Sequence, residues 1–170
     1  MSWWRAETRR KVYVFDIDGV LLDVGERLRV AMERCGGRKS DRFWNAFFSK
    51  ELLELDKPRS VGIELLRDRA SKGLIAIVSG RPRKLLSETI KQLEKVCGIP
   101  RTLIWRIELR EDGDRRPAKI VKLEKILNIL YEGFEIAEIH DDDIELLNLA
   151  KKYLPKTKLY LHTPTGFEPL

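Results

Sequence analysis

The chain has 170 residues, of which 43% are hydrophobic and 35% charged, and a formal net charge of +6. That length suits one domain with a sizeable core, and no apolar run approaches the length needed to span a membrane. The basic balance, with a pI near 9.4, makes anionic partners plausible without identifying them.

Side-chain amides are confined to Asn45, Asn128, Asn148 and Gln92. Their scarcity beside abundant charge points to a thermophilic source. Cys35 and Cys97 have neither a zinc nor a redox spacing and read as reduced thiols. Met1 to Arg10 carries charges throughout and lacks the apolar stretch of a signal peptide, so a soluble, cytoplasmic protein is expected.

The first element in chain order is a strand from Lys11, with Val12 to Phe15 and Ile17 as its β-branched and aromatic residues. A strand buried on both faces does not carry carboxylates in its interior, so Asp16 and Asp18 belong at its C-terminal end. In open α/β sheets that end is where ligands bind. Gly19 then permits a sharp turn and lets its amide approach an anion.

Val24 to Cys35 has helical periodicity and stops at Gly36-Gly37. Ser40 and Asp41 offer an N-cap for a helix carrying Phe43, Trp44, Phe47, Phe48, Leu52 and Leu53, aromatics whose spacing suits core more than a base-stacking surface. Pro58 opens another helix that Gly73 ends, and a second strand, Leu74 to Val78, leads into Ser79. Pro82 begins a helix running to Gly98, and Leu103 to Leu109 is a third strand. After a charged loop, Arg110 to Pro117, a helix spans Ala118 to Tyr131 with Ile120, Leu123, Leu127 and Leu130 inward. Strands at Ile136 to His140 and Thr157 to Leu161 flank a helix at Ile144 to Tyr153. This βα alternation predicts a parallel sheet with helices on both faces.

Asp16-Ile17-Asp18-Gly19-Val20, Ser79-Gly80-Arg81, a helical lysine and Asp141-Asp142 thus stand in order at probable strand exits or just upstream of one. Each has a plainer reading: Asp-Gly as an ordinary turn, Ser79 as a helix cap, and Asp141 to Asp143 as a solvated turn with Asp143 the N-cap. His140 and His162 read as structural. Lys119 and Lys122 share a helical face, and periodicity does not choose between them.

Together these motifs resemble the haloacid dehalogenase superfamily of aspartate-nucleophile phosphohydrolases, over about Lys11 to His162. The resemblance implies a Rossmann-like five-stranded sheet of order 3-2-1-4-5, with a minimal helical cap inserted at about residues 24–57 of a single domain spanning 1–170. It implies Asp16 as nucleophile and Asp18 as general acid and base. Ser79 and a lysine serve the phosphoryl group, and Mg²⁺ is held by Asp16, Asp18 through its carbonyl, Asp141 and Asp142.

A closer similarity is to the 3′-phosphatase domain of polynucleotide kinase/phosphatase, carried by Ser79-Gly80-Arg81, Gly113-Asp114-x-Arg116, Val121-Lys122-Leu123-Glu124 and Asp141-Asp142. It selects Lys122, places Gly19, Gly80 and Arg81 near phosphate, and favours nucleic-acid ends as substrate. The chain departs from that family in having no Gly-x-x-x-x-Gly-Lys-Ser/Thr of a kinase half. Alternatives are a phosphatase of nucleotides or sugar phosphates and a non-catalytic nucleic-acid-binding module. Arg81, Arg83, Lys84, Arg110, Arg115 and Arg116 are expected to give the site a positive rim.

Overall fold

The computed structural model describes residues 8–170, so Trp3 and Trp4 lie outside the described residues. Val12 and Val14 of β1 (Lys11–Phe15) point to one side of the sheet, Tyr13 and Phe15 to the other, and all are buried. A strand so occupied must be central. After it come β2 (Leu22–Asp23), α1 (Gly25–Arg34), α2 (Asp41–Phe47), α3 (Lys50–Leu53), β3 (Lys57–Pro58) and α4 (Ser60–Ala70). The remainder is β4 (Leu74–Pro82), α5 (Leu86–Lys95), β5 (Arg106–Arg110), α6 (Ala118–Tyr131), β6 (Glu135–Asp141), α7 (Ile144–Tyr153), β7 (Lys158–Thr163) and β8 (Gly166–Pro169).

The main sheet runs β5-β4-β1-β6-β7-β8, with the first five strands parallel. Those five stand in the expected order. The sixth is new: β8 folds back antiparallel on β7 through Pro164 and Thr165, making the sheet six-stranded rather than five-stranded. With Phe167 the only large apolar residue of β8, the hairpin leaves little periodic signal.

Helices α6 and α7 cover the face of Val12 and Val14 through Ile126, Ile129, Leu146 and Leu147. The opposite face, carrying Phe15 and Ile77, is covered by Ile63 and Leu66 of α4 and Leu93 of α5. The face of α6 is rotated from expectation: Val121, Lys122, Leu123, Ile126 and Ile129 are buried, while Ile120 is 39% exposed. Apolar residues occupy so much of this helix that periodicity alone leaves its orientation loose. The ion pairs of Lys122 accompany the observed one.

Between β2 and β3 the chain builds a third cluster from Ala31, Phe43, Phe47 and Leu52. Burying a phenylalanine is worth roughly 1.5–3 kcal/mol, so Phe43 and Phe47 hold this short segment together. The single helix expected here is two, because Ser49 accepts from Leu52 N (3.3 Å) and starts α3 afresh. Pro58 does not open a helix; it sits opposite Leu22 in the β2–β3 pair, and α4 starts at Ser60. Pro82 likewise ends β4, with a 3₁₀ turn preceding α5. The strand expected from Leu103 starts at Arg106, because Arg101–Leu103 form a 3₁₀ turn.

Candidate active site

Because β1, β4 and β6 are adjacent and parallel, the residues that leave their C-terminal ends converge. Asp16 follows β1, its backbone N–H donating to His140 O (3.0 Å). From α6, Lys122 Nζ reaches Asp16 Oδ2 (2.7 Å) and Asp141 Oδ2 (3.0 Å). All three side chains are at most 6% exposed. Burial alone would lower the Lys122 pKa, but the Asp141 and Asp16 carboxylates reverse that and keep it an ammonium. Burial raises Asp16 despite Lys122, and Asp141 is raised to about 6 by burial first and then by Asp142. The cluster thus holds more negative charge than one lysine neutralises.

Ser79 lies at the end of β4, 3% exposed, where the pairing with β5 breaks register before Pro82. Its Oγ accepts from Arg81 N (3.3 Å), so the hydroxyl proton remains to be donated. Ser79 caps no helix. Asp143 does: its Oδ1 accepts from Glu145 N (2.9 Å) and Leu146 N (3.3 Å) of α7. Asp142 stands over Gly19, whose φ of +80° and missing Cβ are both required there, since a Cβ would collide with the Asp142 carboxylate.

Asp18 is held by two arginines. Arg81 donates to it from Nη2 (2.6 Å) and Nε (3.1 Å), and Arg27 of α1 from Nη2 (2.7 Å). Both guanidiniums are fully buried. Arg27 also binds Asp56 Oδ1 (2.8 Å) and lies 4.3 Å from the Phe47 ring centroid. Arg81 spends its remaining donors on Gln92 (2.6 Å), Thr89 (3.2 Å) and Asp56 (3.4 Å). Burial would raise Asp18, but Arg81 and then Arg27 bring it down to about 2.

A cavity of about 930 Å³ runs from Asp16, Asp18, Ser79 and Lys122 beneath Trp44 and Phe48 toward the Arg110–Pro117 loop. Its rim is far less positive than the sequence suggests. Arg83 pairs with Glu111 (3.2 Å), Arg115 with Asp41 (2.7 Å), and Arg116 with Asp114 (2.7 Å) and Glu124 (2.6 Å). Arg110 Nη1 is turned onto the carbonyls of Asp114 and Arg116.

No protein-family model matches the chain, and no curated protein does. Solved structures do. A chain of a Pnkp1/Rnl/Hen1 complex superposes with a TM-score of 0.67 at 18% identity, over 91% of this chain and 45% of that one. A haloacid dehalogenase-like hydrolase from Streptococcus pneumoniae gives 0.61 at 13% identity, over 89% and 83%. The class C acid phosphatase from Bacillus anthracis gives 0.58 at 22%, over 81% and 54%.

The chain has the haloacid dehalogenase fold. At these identities the likeness is one of fold, and the chain spans less than half of the Pnkp1 chain it matches.

Within this haloacid dehalogenase fold, Asp16, Ser79, Lys122, Asp141 and Asp142 are brought together, and Lys119 is not, being paired with Glu145 (2.6 Å). Gly80 lines the cavity, but two expectations about phosphate need correction. The Gly19 N–H is engaged by Leu22 O (2.8 Å), and the Arg81 guanidinium is spent on neighbouring side chains. Arg27 and Asp56 were not foreseen, although Arg27 and Ala31 lie four apart on α1 and an arginine in line with a buried alanine faces inward.

The residues fit a hard divalent cation. Asp16, Asp141 and Asp142 each offer an oxygen, all within 4.8 Å of one another, and Lys122 is the single cation paired with Asp16 and Asp141.

Proposed function

We propose that the protein is a Mg²⁺-dependent phosphomonoesterase working through an aspartyl-phosphate, with nucleic-acid or nucleotide phosphate ends as the favoured substrates. The observation that carries this is Asp16 itself: a buried carboxylate with one oxygen on Lys122 and the other unpartnered, in the lining of a large open cavity. With Oδ2 held by Lys122, Oδ1 is the oxygen left without a protein hydrogen bond and is the one assigned to attack phosphorus.

When bound to Asp16, Asp141, Asp142 and the Asp18 carbonyl, Mg²⁺ would offset charge on the transferring phosphoryl group. Lys122 keeps its proton and adds positive charge there, and Ser79 donates its hydroxyl to a phosphoryl oxygen. The Asp16 oxygen bonds to phosphorus as the ester P–O bond breaks, and Asp18 protonates the departing oxygen. A water then attacks the acyl phosphate, loses its proton to Asp18, and orthophosphate leaves. Asp18 rests as a carboxylate, so it becomes an acid only once a dianionic phosphoryl group beside it raises its pKa. In this scheme Arg81 and Arg27 orient Asp18 rather than grip phosphate.

The helical segment between β2 and β3 would act as the minimal cap of the single domain, leaving an entrance for a polymer end. Support for a polynucleotide comes from the fold shared with a Pnkp1 chain of an RNA repair complex and from Trp44, 43% exposed in the cavity wall. The paired rim arginines favour a second reading, hydrolysis of nucleotides or sugar phosphates. With Asp16, Asp18 and Lys122 all retained, a non-catalytic role is the weakest of the three.

The test is Mg²⁺-supported release of orthophosphate from a 3′-phosphorylated oligonucleotide and from its matching mononucleotide, by the unmutated chain and by Asp16→Asn. The expected result is a higher kcat/KM for the oligonucleotide and no turnover by the folded variant. Better hydrolysis of mononucleotides selects the second reading. Near-normal turnover by Asp16→Asn rules out the covalent mechanism.

A further inference from the structure

Among the arginines lining the large cavity, Arg115 stands apart in how loosely its charge is held. It sits in the loop between β5 and α6, and its side chain makes one hydrogen bond, Nη2 donating to Asp41 Oδ2 (2.7 Å) at the start of α2, 74 residues away in sequence. That ion pair straps the loop to the helical segment between β2 and β3, and both side chains are 78% exposed. Such a pair is worth little, because water and salt screen it. Arg116, by contrast, divides its donors between Asp114 and Glu124, and Arg110 is committed to the carbonyls of Gly80, Asp114 and Arg116.

The backbone around Arg115 is held where its side chain is not. Arg110 Nη1 donates to the carbonyls of Asp114 (2.9 Å) and Arg116 (2.6 Å), and the Arg116 N–H donates to Asp114 Oδ1 (3.0 Å). The loop is thus pinned on both sides of Arg115, and the guanidinium can be drawn off Asp41 without moving it. On α2, Asp41, Trp44, Asn45 and Phe48 recur at helical spacing along the cavity. The Trp44 and Phe48 rings are within 18° of parallel with centroids 5.8 Å apart, and Lys39 Nζ lies 6.0 Å from the Trp44 ring centroid. The carboxylate that holds Arg115 therefore has aromatic faces and a cation beside it, the surface chemistry that binds a nucleic-acid strand.

We infer that Arg115 is a specificity-determining residue, one that exchanges Asp41 for a phosphodiester of a bound strand. The inference rests on the reading of nucleic-acid ends as substrates, and it names the group that tells a strand from a mononucleotide. A 3′-mononucleotide has a single phosphate, which Lys122 and Ser79 take up in the scheme above, and nothing is left to draw Arg115 off Asp41. A strand brings a phosphodiester with each further nucleotide, and a guanidinium grips such a group through two parallel N–H donors. Asp41 is then a competitor within the protein that the strand must displace.

The test is the ratio of kcat/KM for a 3′-phosphorylated oligonucleotide to that for its matching 3′-mononucleotide, measured on the full chain with Mg²⁺. Asp41→Asn should raise this ratio by up to about fivefold, the most that an exposed ion pair withholds. Helix α2 stays capped in that variant, because Ser40 Oγ accepts from Phe43 N (3.4 Å). Arg115→Gln should lower the ratio several-fold and flatten the salt dependence on the oligonucleotide, its log–log slope falling by about 0.7, the share of one phosphate contact on a single strand. Adding Asp41→Asn to Arg115→Gln should change nothing further, since the carboxylate then has no cation to withhold. Glu124→Gln removes the same charge but leaves Arg116 on Asp114, and should shift the ratio by less than about twofold. Fluorescence anisotropy with the dephosphorylated strand in chelator, which needs no turnover, should rank the chains in the same order. A strand preference that Asp41→Asn and Arg115→Gln leave unchanged, or equal responses to Asp41→Asn and Glu124→Gln, overturns the inference while the phosphatase reading stands. Absence of any strand preference in the unmutated chain overturns the nucleic-acid reading and the inference with it.

Discussion

Arg27→Met puts an apolar side chain of similar length where a buried guanidinium now serves Asp18, Asp56 and the Phe47 carbonyl. Removing one partner of a buried ion pair costs about 3–5 kcal/mol. Here both carboxylates keep other donors, Asp18 from Arg81 (2.6 Å) and Asp56 from Gln92 (3.1 Å), so the low end, about 3 kcal/mol, applies. For a chain of this size that is roughly 6–12 °C of Tm, at about 2–4 °C per kcal/mol. Turnover should fall for a second reason, because an acid that has lost its clamp protonates the leaving oxygen poorly. The loss in kcat should approach ~10²-fold for an alkyl phosphate, within the usual worth of general acid catalysis. It should be only a few-fold for p-nitrophenyl phosphate, whose leaving group departs readily as an anion. Thermal unfolding followed by circular dichroism, with kinetics on both esters well below the new Tm, gives the two readouts. An equal fractional loss on both esters would refute the assignment of Arg27 to positioning the acid, whatever the change in Tm.

Lys122→Met should lose at least ~10²-fold in kcat, the scale of one lost electrostatic stabiliser, while Lys119→Met, which only frees Glu145, should stay within about twofold. Steady-state kinetics on one ester ranks the two, and the reverse order would move the charge to the wrong turn of α6. Chelation should stop turnover and Asp141→Ala should weaken its restoration by Mg²⁺. Asp143→Ala should leave Mg²⁺ activation intact and cost about 1 kcal/mol of stability through the lost α7 cap. The part of the stability that comes from neutral His162 should also be lost with acid below pH 6.5, opposite in sign to the contribution of Asp141, whose raised pKa favours the fold as pH falls. His162 titrates at about 3 in the fold against a reference of 6.5, so the unfolded chain binds the extra proton between those values. Denaturant midpoints measured from pH 7 down to 4 should shift toward lower stability in the unmutated chain relative to His162→Phe, and equal pH dependence of the two chains would refute the assignment.

Much of this architecture is legible because central parallel strands leave continuous apolar runs. Val12 to Phe15, Leu74 to Val78 and Ile136 to His140 mark β1, β4 and β6, and parallel adjacency then obliges Asp16, Ser79 and Asp141 to meet at one edge. Local chemistry was readable too, as in Gly36 and Gly37 ending α1 at φ +68° and +81°. What stayed hidden depended on long-range pairing. Nothing in an arginine-rich helix says that Arg27 reaches across to Asp56, or that the charges of Arg115 and Arg116 are already matched by Asp41 and Glu124. The α6 face and the β8 hairpin were missed for the opposite reasons of too much apolar signal and too little.

The antiparallel contact of Leu22 with Pro58 and Asp23 with Lys57 brings the two ends of the intervening helical segment side by side. Geometrically, then, the segment is a cassette: a longer or different insert could leave and rejoin the core through the same clasp at little loop-closure cost. Electrostatically it is not, because Arg27 travels with the cassette while Asp18 stays behind. A graft that alters substrate choice must therefore carry its own cation to Asp18 and, because Asp56 leaves with the old segment, an acceptor for Arg81 and Gln92, or it will disarm the site it was meant to retune.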